Sequence, residues 1–467
     1  MWGKHKKENN LNIDWGNFYR SVMALVIPMA LQNLINVGVT AADVMMLGSV
    51  SEKVLSGASL AGQIQFIMTL VFMGITSGAT VLTAQYWGKG DTRTIEKILG
   101  LGLRAGLSVA CIFCLAALFI PETLMRIYTN DPEVVAEGVK YLQIVGFSYL
   151  FMAFTQVYLN IMRSIERVVI ATVVYAVSLC TNVVINAILI YGLLGFPTLH
   201  VRGAAIGTLI SRIVELLIVL GYAHFKNHTV KIRLKYLLHV DKVLLKDFLL
   251  YSMPVVLNEL MWGMGSSANT AIIGHLGSAA VAANSVAQVV RQLAQVVVFG
   301  ISNATAIYLG KTIGEKKFEH AKAYGKRFTW ISFLLGLCGA CVILISAPIA
   351  NATMALTPEA QDYLSFMFFV MSYFAVAQAV NCTLVVGVFR SGGDTKFGLV
   401  LDVATMWGCS IIIGAAAAFI FHCSVPVVYV ILMSDEIIKI PFTLKRFFSY
   451  KWLKDVTRDD LEETEVS

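Results

Sequence analysis

Long apolar runs separated by short charged loops are the feature of this sequence that most restricts its fold. Each run is long enough for a helix that crosses the ~30 Å hydrocarbon core of a bilayer. They are too long for barrel strands, and backbone in lipid must satisfy its own hydrogen bonds, so helices are expected. The runs and their breakers give twelve candidate spans: 18–48, 54–86, 97–120, 133–162, 168–194, 202–225, 246–275, 279–310, 327–350, 362–389, 397–421 and 424–445.

Composition agrees with an all-α membrane protein and excludes a soluble fold. Hydrophobic residues make up 57% of the chain and charged residues 14%, whereas soluble domains carry about a quarter charged residues. The 467 residues suit twelve spans with short loops, because no linker rich in Pro, Gly or Ser separates independent cores.

The net charge of +7 does not indicate a nucleic-acid partner. Lys and Arg lie in short loops between the apolar runs, and a nucleic-acid-binding domain would gather them on one face. Most of them fall on the side of the membrane that holds the N-terminus. Cytoplasmic loops carry the excess of Lys and Arg, so both termini are expected in the cytoplasm.

The eight cysteines predict neither a disulfide framework nor a metal site. Two pairs, Cys111 with Cys114 and Cys338 with Cys341, have the spacing of metal ligands. Each pair lies in an apolar span without a nearby His or acid to complete a set of four ligands. We therefore expect small packing residues and no metal.

The chain repeats itself across its two halves. A parallel repeat of six spans gives two pseudo-symmetric six-helix bundles, an arrangement typical of transporters. It predicts an N-lobe at 1–225, a basic cytoplasmic linker at 226–245 and a C-lobe at 246–467. An offset of 226 residues aligns Pro28 with Pro254, Gly48 with Gly274 and Gly88 with Gly314, and an offset of 227 aligns Arg163-Ser164 with Arg390-Ser391.

Several motifs along these spans resemble the MATE (multidrug and toxic compound extrusion) family of the MOP superfamily, in a Gram-positive bacterial form. They are Asp43-Val44-Met45-Met46-Leu47-Gly48 after Pro28, Asn182 and Asn186 followed by Gly203–Thr208, the loop Phe389–Lys396, and Asn258–Trp262. The resemblance implies antiport of small organic cations against H⁺ or Na⁺, without a cofactor, by alternating access. It also implies a bacterial plasma-membrane location and a monomer.

Asp43 is the first candidate site residue, because an ionisable group at membrane depth is costly and usually marks an ion path. No Lys or Arg lies within one helical turn of it in the sequence. The resemblance implies that Asn182, Asn186 and Thr208 complete a cation site. Asn186 stands where one branch of the family has Asp, which leaves this site one acid short. Interhelical hydrogen bonding is the alternative role for the two Asn residues.

Glu259 in span 7 and Arg291 in span 8 form the second candidate region, for coupling or for binding the cargo. An ion pair between the two would be the alternative, purely structural role.

Other charges in the spans are expected to neutralise one another: Arg212 with Glu215, and Lys439 with Asp435 and Glu436. For Asp402 the sequence leaves two roles open, gating and helix contact.

Pro28 and Pro254 lie within spans at repeat-related positions. Proline removes a helical hydrogen bond and permits bending, so each is a candidate hinge or a static kink.

The main alternative function is a lipid-linked oligosaccharide flippase of the same superfamily. Such a protein is expected to line its cavity with Arg and Lys, whereas the candidate charges of spans 1 and 7 are acidic. An enzyme is not expected, because the spans carry no zinc-protease or nucleophile-elbow motif.

Overall fold

The computed structural model describes residues 13–353 and 357–459, and within them it is helical without strands. In chain order the α-helices are α1 (Trp15–Gly48), α2 (Glu52–Lys89), α3 (Thr92–Phe119), α4 (Pro121–Arg126), α5 (Pro132–Ser164), α6 (Val169–Tyr191), α7 (His200–Phe225), α8 (Leu234–Leu238), α9 (Lys242–Gly274), α10 (Ser278–Gly314), α11 (Phe318–Thr353), α12 (Pro358–Cys382), α13 (Thr395–Val403), α14 (Ile412–Phe419), α15 (Val425–Leu432) and α16 (Asp435–Phe448). A 3₁₀ turn spans Leu193–Gly195, and π-helical segments span Thr383–Phe389 and Ala404–Ile411.

Each of the twelve predicted spans falls on helical structure. In the part of the chain that is described, ten helical segments are long and apolar enough to cross a membrane. Span 7 is the 33-residue helix α9, whose polar Asn258 and Glu259 lower its hydropathy. Span 12 is divided into α15 and α16 by a break at residues 433–434, so neither piece alone is long enough.

The chain forms two compact units by its internal contacts. The first unit comprises Met1–Ala30, Ala84–Gly90 and Leu257–Ser467, and the second comprises Leu31–Thr83 and Asp91–Val256. The lobe boundaries expected from the sequence remain predictions.

The second unit is built on α3, α5, α6 and α7, with a buried core that includes Met68, Tyr149 and Ala153. Two glycines of α2 let its backbone approach α9 closely. A Cβ atom on Gly74 would lie 2.4 Å from the Cα atom of Val256, and one on Gly78 would lie 2.3 Å from the Ser252 hydroxyl oxygen. Larger residues at these glycines would force the two helices apart.

The first unit is built on α10, α11 and α12, and the end of α2 packs on α10 through the repeat-related glycines. A Cβ atom on Gly88 would lie 2.0 Å from the Lys311 carbonyl oxygen, and one on Gly314 would lie 1.9 Å from the Gln85 carbonyl oxygen. The repeat match therefore corresponds to a reciprocal backbone contact.

The predicted linker at 226–245 is anchored to α3 within the second unit. Arg233 donates a hydrogen bond to the Glu96 carboxylate at 2.6 Å, and Arg104 donates one to the Leu238 carbonyl oxygen at 2.8 Å. The hydrogen bond to Glu96 raises the pKa of the Arg233 guanidinium above its ordinary value.

Candidate functional site

The four residues proposed for the N-lobe cation site lie in one hydrogen-bonded chain within the second unit. Asn186 Nδ2 donates to Asp43 Oδ1 at 2.6 Å and to Asn182 Oδ1 at 3.2 Å. Asn182 Nδ2 in turn donates to the Thr208 hydroxyl at 3.5 Å. Three helices, α1, α6 and α7, therefore meet through these side chains.

Local sequence explains the meeting point. Asn182 and Asn186 are four residues apart on α6, so their side chains share one helix face. Gly207 precedes Thr208 on α7, and a Cβ atom there would lie 1.9 Å from Asn186 Oδ1. Glycine thus lets α7 close over the buried amide of Asn186, which is 0% exposed.

The amide of Asn186 is only half satisfied. Its Oδ1 atom has no hydrogen-bond partner among the described residues, although a buried polar atom without a partner costs about 1–3 kcal/mol. This oxygen, the Asp43 carboxylate and the Thr208 hydroxyl are the ligand types that hard cations prefer. The arrangement can hold a proton on Asp43 or accept a small cation.

A cation from α7 completes the electrostatics of this site. Arg212 lies one helical turn beyond Thr208 and donates to the two carboxylate oxygens of Glu215 at 2.7 and 3.0 Å, as the sequence predicted. Its positive charge also attracts the Asp43 carboxylate. The residues next to Asp43 in the sequence do not reveal this interaction. Asp43, Arg212 and Glu215 together carry one net negative charge.

In the first unit, Glu259 pairs with a different arginine from the one considered in the sequence. Arg390 donates to Glu259 Oε1 at 3.0 Å, and the two side chains are 7% and 14% exposed. The ion pair considered between Glu259 and Arg291 does not form. The reason is position: Arg390 directly follows the π-helical segment Thr383–Phe389, and that segment ends at the level of Glu259.

Arg291 instead faces a small cavity within the first unit. Its guanidinium lies over the Phe374 ring, 5.7 Å from the ring centre, and it attracts Asp435 and Glu436. The cavity has a volume of about 40 Å³, with Asn269 also on its wall. A drug-sized ligand needs roughly 300 Å³ or more, so this cavity suits only an ion or a few waters.

Lys439 gathers three acids, one more than the sequence analysis assigned to it. Its ammonium lies 3.0 Å from Asp402, 3.4 Å from Asp435 and 3.0 Å from Glu436. Asp402, for which the sequence predicts no partner, lies two residues before the π-helical segment Ala404–Ile411. A π turn changes the angle between the side chains before it and those after it, an effect that a 3.6-residue period does not predict.

Pro28 and Pro254 lie inside continuous helices, α1 and α9. Pro254 is buried and Pro28 is partly buried. Their roles as hinges remain predictions.

Cys111, Cys114, Cys338 and Cys341, which have the spacing of metal ligands in the sequence, are free thiols. No group of three or more His, Cys, Asp or Glu residues is placed to hold a metal ion in residues 13–353 and 357–459.

Comparison with known proteins agrees with the internal repeat and the helical fold. The MatE family model matches residues 28–188 and again 254–416, two stretches that begin at the repeat-related prolines. The probable multidrug resistance protein YoeA of Bacillus subtilis (strain 168) is 22% identical, over 84% of this chain and 85% of its own length. A probable multidrug resistance protein NorM of Thermotoga maritima is 23% identical, over 95% of this chain and 96% of its own length.

A solved structure confirms the fold class. An outward-facing multidrug resistance MATE family transporter of the MOP superfamily superposes with a TM-score of 0.82 at 20% identity, covering 92% of this chain and 96% of that one. The predicted all-α fold of two six-helix bundles is therefore confirmed.

Proposed function

Because the chain belongs to the MATE family of efflux transporters, a family of transporters and not of enzymes, we propose that it exports small organic cations in exchange for H⁺ or Na⁺. It does so by alternating access, as a monomer in a bacterial plasma membrane, with both termini in the cytoplasm. The relatives named as multidrug resistance proteins support a broad, drug-like cargo.

The observation that carries this proposal is the chain from Asp43 through Asn186 and Asn182 to Thr208. An intramembrane carboxylate is unfavourable unless it binds a proton or a cation. Asp43 can therefore alternate between an ion that enters and a cationic cargo that leaves, since one net negative charge accommodates one of them at a time. This competition is the chemistry that antiport requires.

Glu259 and Arg291 enter the proposal as a second region for coupling or cargo binding. Arg390 already neutralises Glu259, so Glu259 would act only when that pair opens. Arg291 shares its cavity with Asp435 and Glu436, and the cavity has a volume of only about 40 Å³. A diphosphate cargo would find too little room there, so this cavity does not support the flippase alternative.

Pro28 and Pro254 are proposed as the points at which α1 and α9 bend between the two access states. Each proline leaves one carbonyl of the preceding turn without its helical partner, which lowers the cost of bending there.

The proposal is tested by ethidium and norfloxacin accumulation in a bacterium that lacks its own drug pumps. Cells expressing the parent should accumulate less of either compound than cells with an empty vector, and Asp43→Asn should remove that difference. Thr181→Ala is the matched control, because Thr181 lies beside Asn182 on α6 and bonds only to the Val177 carbonyl of its own helix. If the parent leaves both compounds unaffected but flips a lipid-linked sugar across liposomes, the flippase alternative replaces this proposal.

A further inference from the structure

The charge cluster around Lys439 occupies the same place in the second half of the sequence as the candidate cation site does in the first. At the offset of 227 residues, Arg212 corresponds to Lys439 and Thr208 to Asp435. At the offset of 226 residues, Asp43 corresponds to Asn269, which lies on the cavity wall together with Asp435. The first half therefore carries its acid, Asp43, on its first helix. The second half has Asn269 at that position and carries an acid, Asp435, on its last helix.

The Lys439 cluster holds more acid than its cations neutralise. Asp402, Asp435 and Glu436 all lie within 3.4 Å of the one ammonium. Arg291 adds a second positive charge across the cavity. Three carboxylates against two cations leave one net negative charge, as at Asp43, and all four ion-paired side chains are largely buried.

A second, independent observation points to a ligand at this cluster. Asn258 is 6% exposed, and its Nδ2 atom donates to Asp402 Oδ2 at 2.9 Å. The Oδ1 atom of the same amide has no hydrogen-bond partner among the described residues. A buried acceptor beside a carboxylate lacks a donor, and a protonated Asp402 or a protonated neighbour would supply one.

The surroundings of these three carboxylates suit a proton as the bound cation, and not a metal ion. The Lys439 ammonium already lies between the three acids, and no set of three acids in the described chain is spaced to hold a metal ion. The cavity of about 40 Å³ has room for about two or three water molecules, enough to conduct a proton. The titratable and charged groups around the cluster are Asp402, Asp435, Glu436, Lys439, Arg291, Tyr429 and Cys382, with the Glu259–Arg390 pair next to Cys382.

We propose that Asp402, Asp435 and Glu436 together bind one exchangeable proton, which makes the Lys439 cluster a second cation site in this protein. Close carboxylates cannot all remain ionised in a buried setting, and the proton is shared among the three. On release the proton leaves to water in the cavity, and the cluster keeps Lys439 and Arg291 as its remaining cations. This inference extends the proposed function, because it gives the half without Asp43 its own ion site.

The proposal is tested by infrared spectroscopy of the purified protein in lipid nanodiscs, with the Asp43→Asn variant as the background so that this carboxyl group does not contribute. The C=O stretch of a protonated carboxylic acid, identified by its shift in D₂O, should be present at neutral pH and should disappear on alkaline titration. Asp435→Asn should reduce the band by at least half. Asp362→Asn, which alters an exposed acid at the start of α12, should leave it unchanged.

Lys439→Gln gives a result of opposite sign and keeps the test informative if Asp435→Asn does not fold. Removing the ammonium leaves the three carboxylates with only Arg291, so a second proton should bind and the band should grow about twofold. A band that is absent in the Asp43→Asn background, or that neither Asp435→Asn nor Lys439→Gln changes, would overturn the proposal. The infrared measurement requires no transport. The proton site can therefore be refuted while drug export is confirmed, and drug export can be refuted while the proton site is confirmed.

Discussion

The Arg390 guanidinium and the Glu259 carboxylate form a hydrogen-bonded ion pair at 3.0 Å, shielded almost entirely from the surroundings. In the first half of the repeat, Arg163 corresponds to Arg390, but the position equivalent to Glu259 holds Asn33. Arg163 instead donates to the Tyr175 hydroxyl at 3.3 Å and lies over its ring. The two repeat-related arginines therefore bind different partners in the two halves of the chain.

We expect Glu259→Gln to destabilise the protein by about 3–5 kcal/mol, the usual cost of leaving one member of a buried pair without its partner. The double variant Glu259→Gln with Arg390→Gln should recover part of that loss, because no unpaired charge remains. Thermal unfolding in detergent measures both. Equal losses in the single and double variants would show that the pair is not energetically coupled.

We expect Asn186→Asp to strengthen cation binding at the Asp43 site. The new carboxylate would lie within hydrogen-bonding distance of Asp43, where Asn186 Nδ2 is now 2.6 Å away, and two close acids favour a bound positive charge. The Na⁺ concentration that gives half-maximal efflux, or the proton concentration in Na⁺-free buffer, should fall about tenfold, which corresponds to about 1.4 kcal/mol. Asn186→Leu, which removes the donor to Asp43, should abolish coupled efflux; normal efflux by this variant would contradict the assignment.

We expect Gly88→Ala to destabilise the first unit, because its methyl group would lie 2.0 Å from the Lys311 carbonyl oxygen. Overpacking of this kind costs about 1–3 kcal/mol. Gly62→Ala is the matched control on the same helix, since no atom lies within 4 Å of a Cβ placed there. Thermal unfolding should separate the two variants by several degrees, and identical curves would show that the end of α2 tolerates a wider spacing.

We expect Arg446→Gln to release the C-terminal segment from the first unit. Arg446 donates to both oxygens of Asp394, at 2.7 and 2.9 Å, and Asp394 is only 6% exposed. Losing a charged hydrogen bond of this kind costs about 1.5–3 kcal/mol. Trypsin should then cleave after Lys451 or Lys454 faster than in the parent, while the exposed Lys445→Gln variant should be cleaved at the parental rate.

The sequence predicted the spans well, because lipid forces the backbone into long apolar helices, and such long apolar runs are recognised directly in the sequence. It also placed Asp43, Asn182, Asn186 and Thr208 together, because the family resemblance supplied the partners that spacing alone does not give. The link from Asp43 to Arg212 was missed, since those residues are 169 positions apart in the sequence and meet only through the packing of α7.

Two contacts of the second half of the chain that the sequence does not predict lie beside π-helical segments. The π-helical segments Thr383–Phe389 and Ala404–Ile411 shift the faces of spans 10 and 11 away from a regular helical period. Arg390 directly follows the first of these segments and pairs with Glu259. Asp402 lies two residues before the second and pairs with Lys439. Hydrophobic periodicity carries no signal for such segments, because both faces of these helices are largely apolar.

The central claim is that Asp43 couples the export of an organic cation to the entry of an ion. It is tested most directly in proteoliposomes of purified protein that contain ethidium and experience an imposed pH or Na⁺ gradient. The parent and the Asp362→Asn control should move ethidium against its own gradient only while the ion gradient lasts, and Asp43→Asn should not. Gradient-driven ethidium movement by Asp43→Asn at the parental rate would contradict the account.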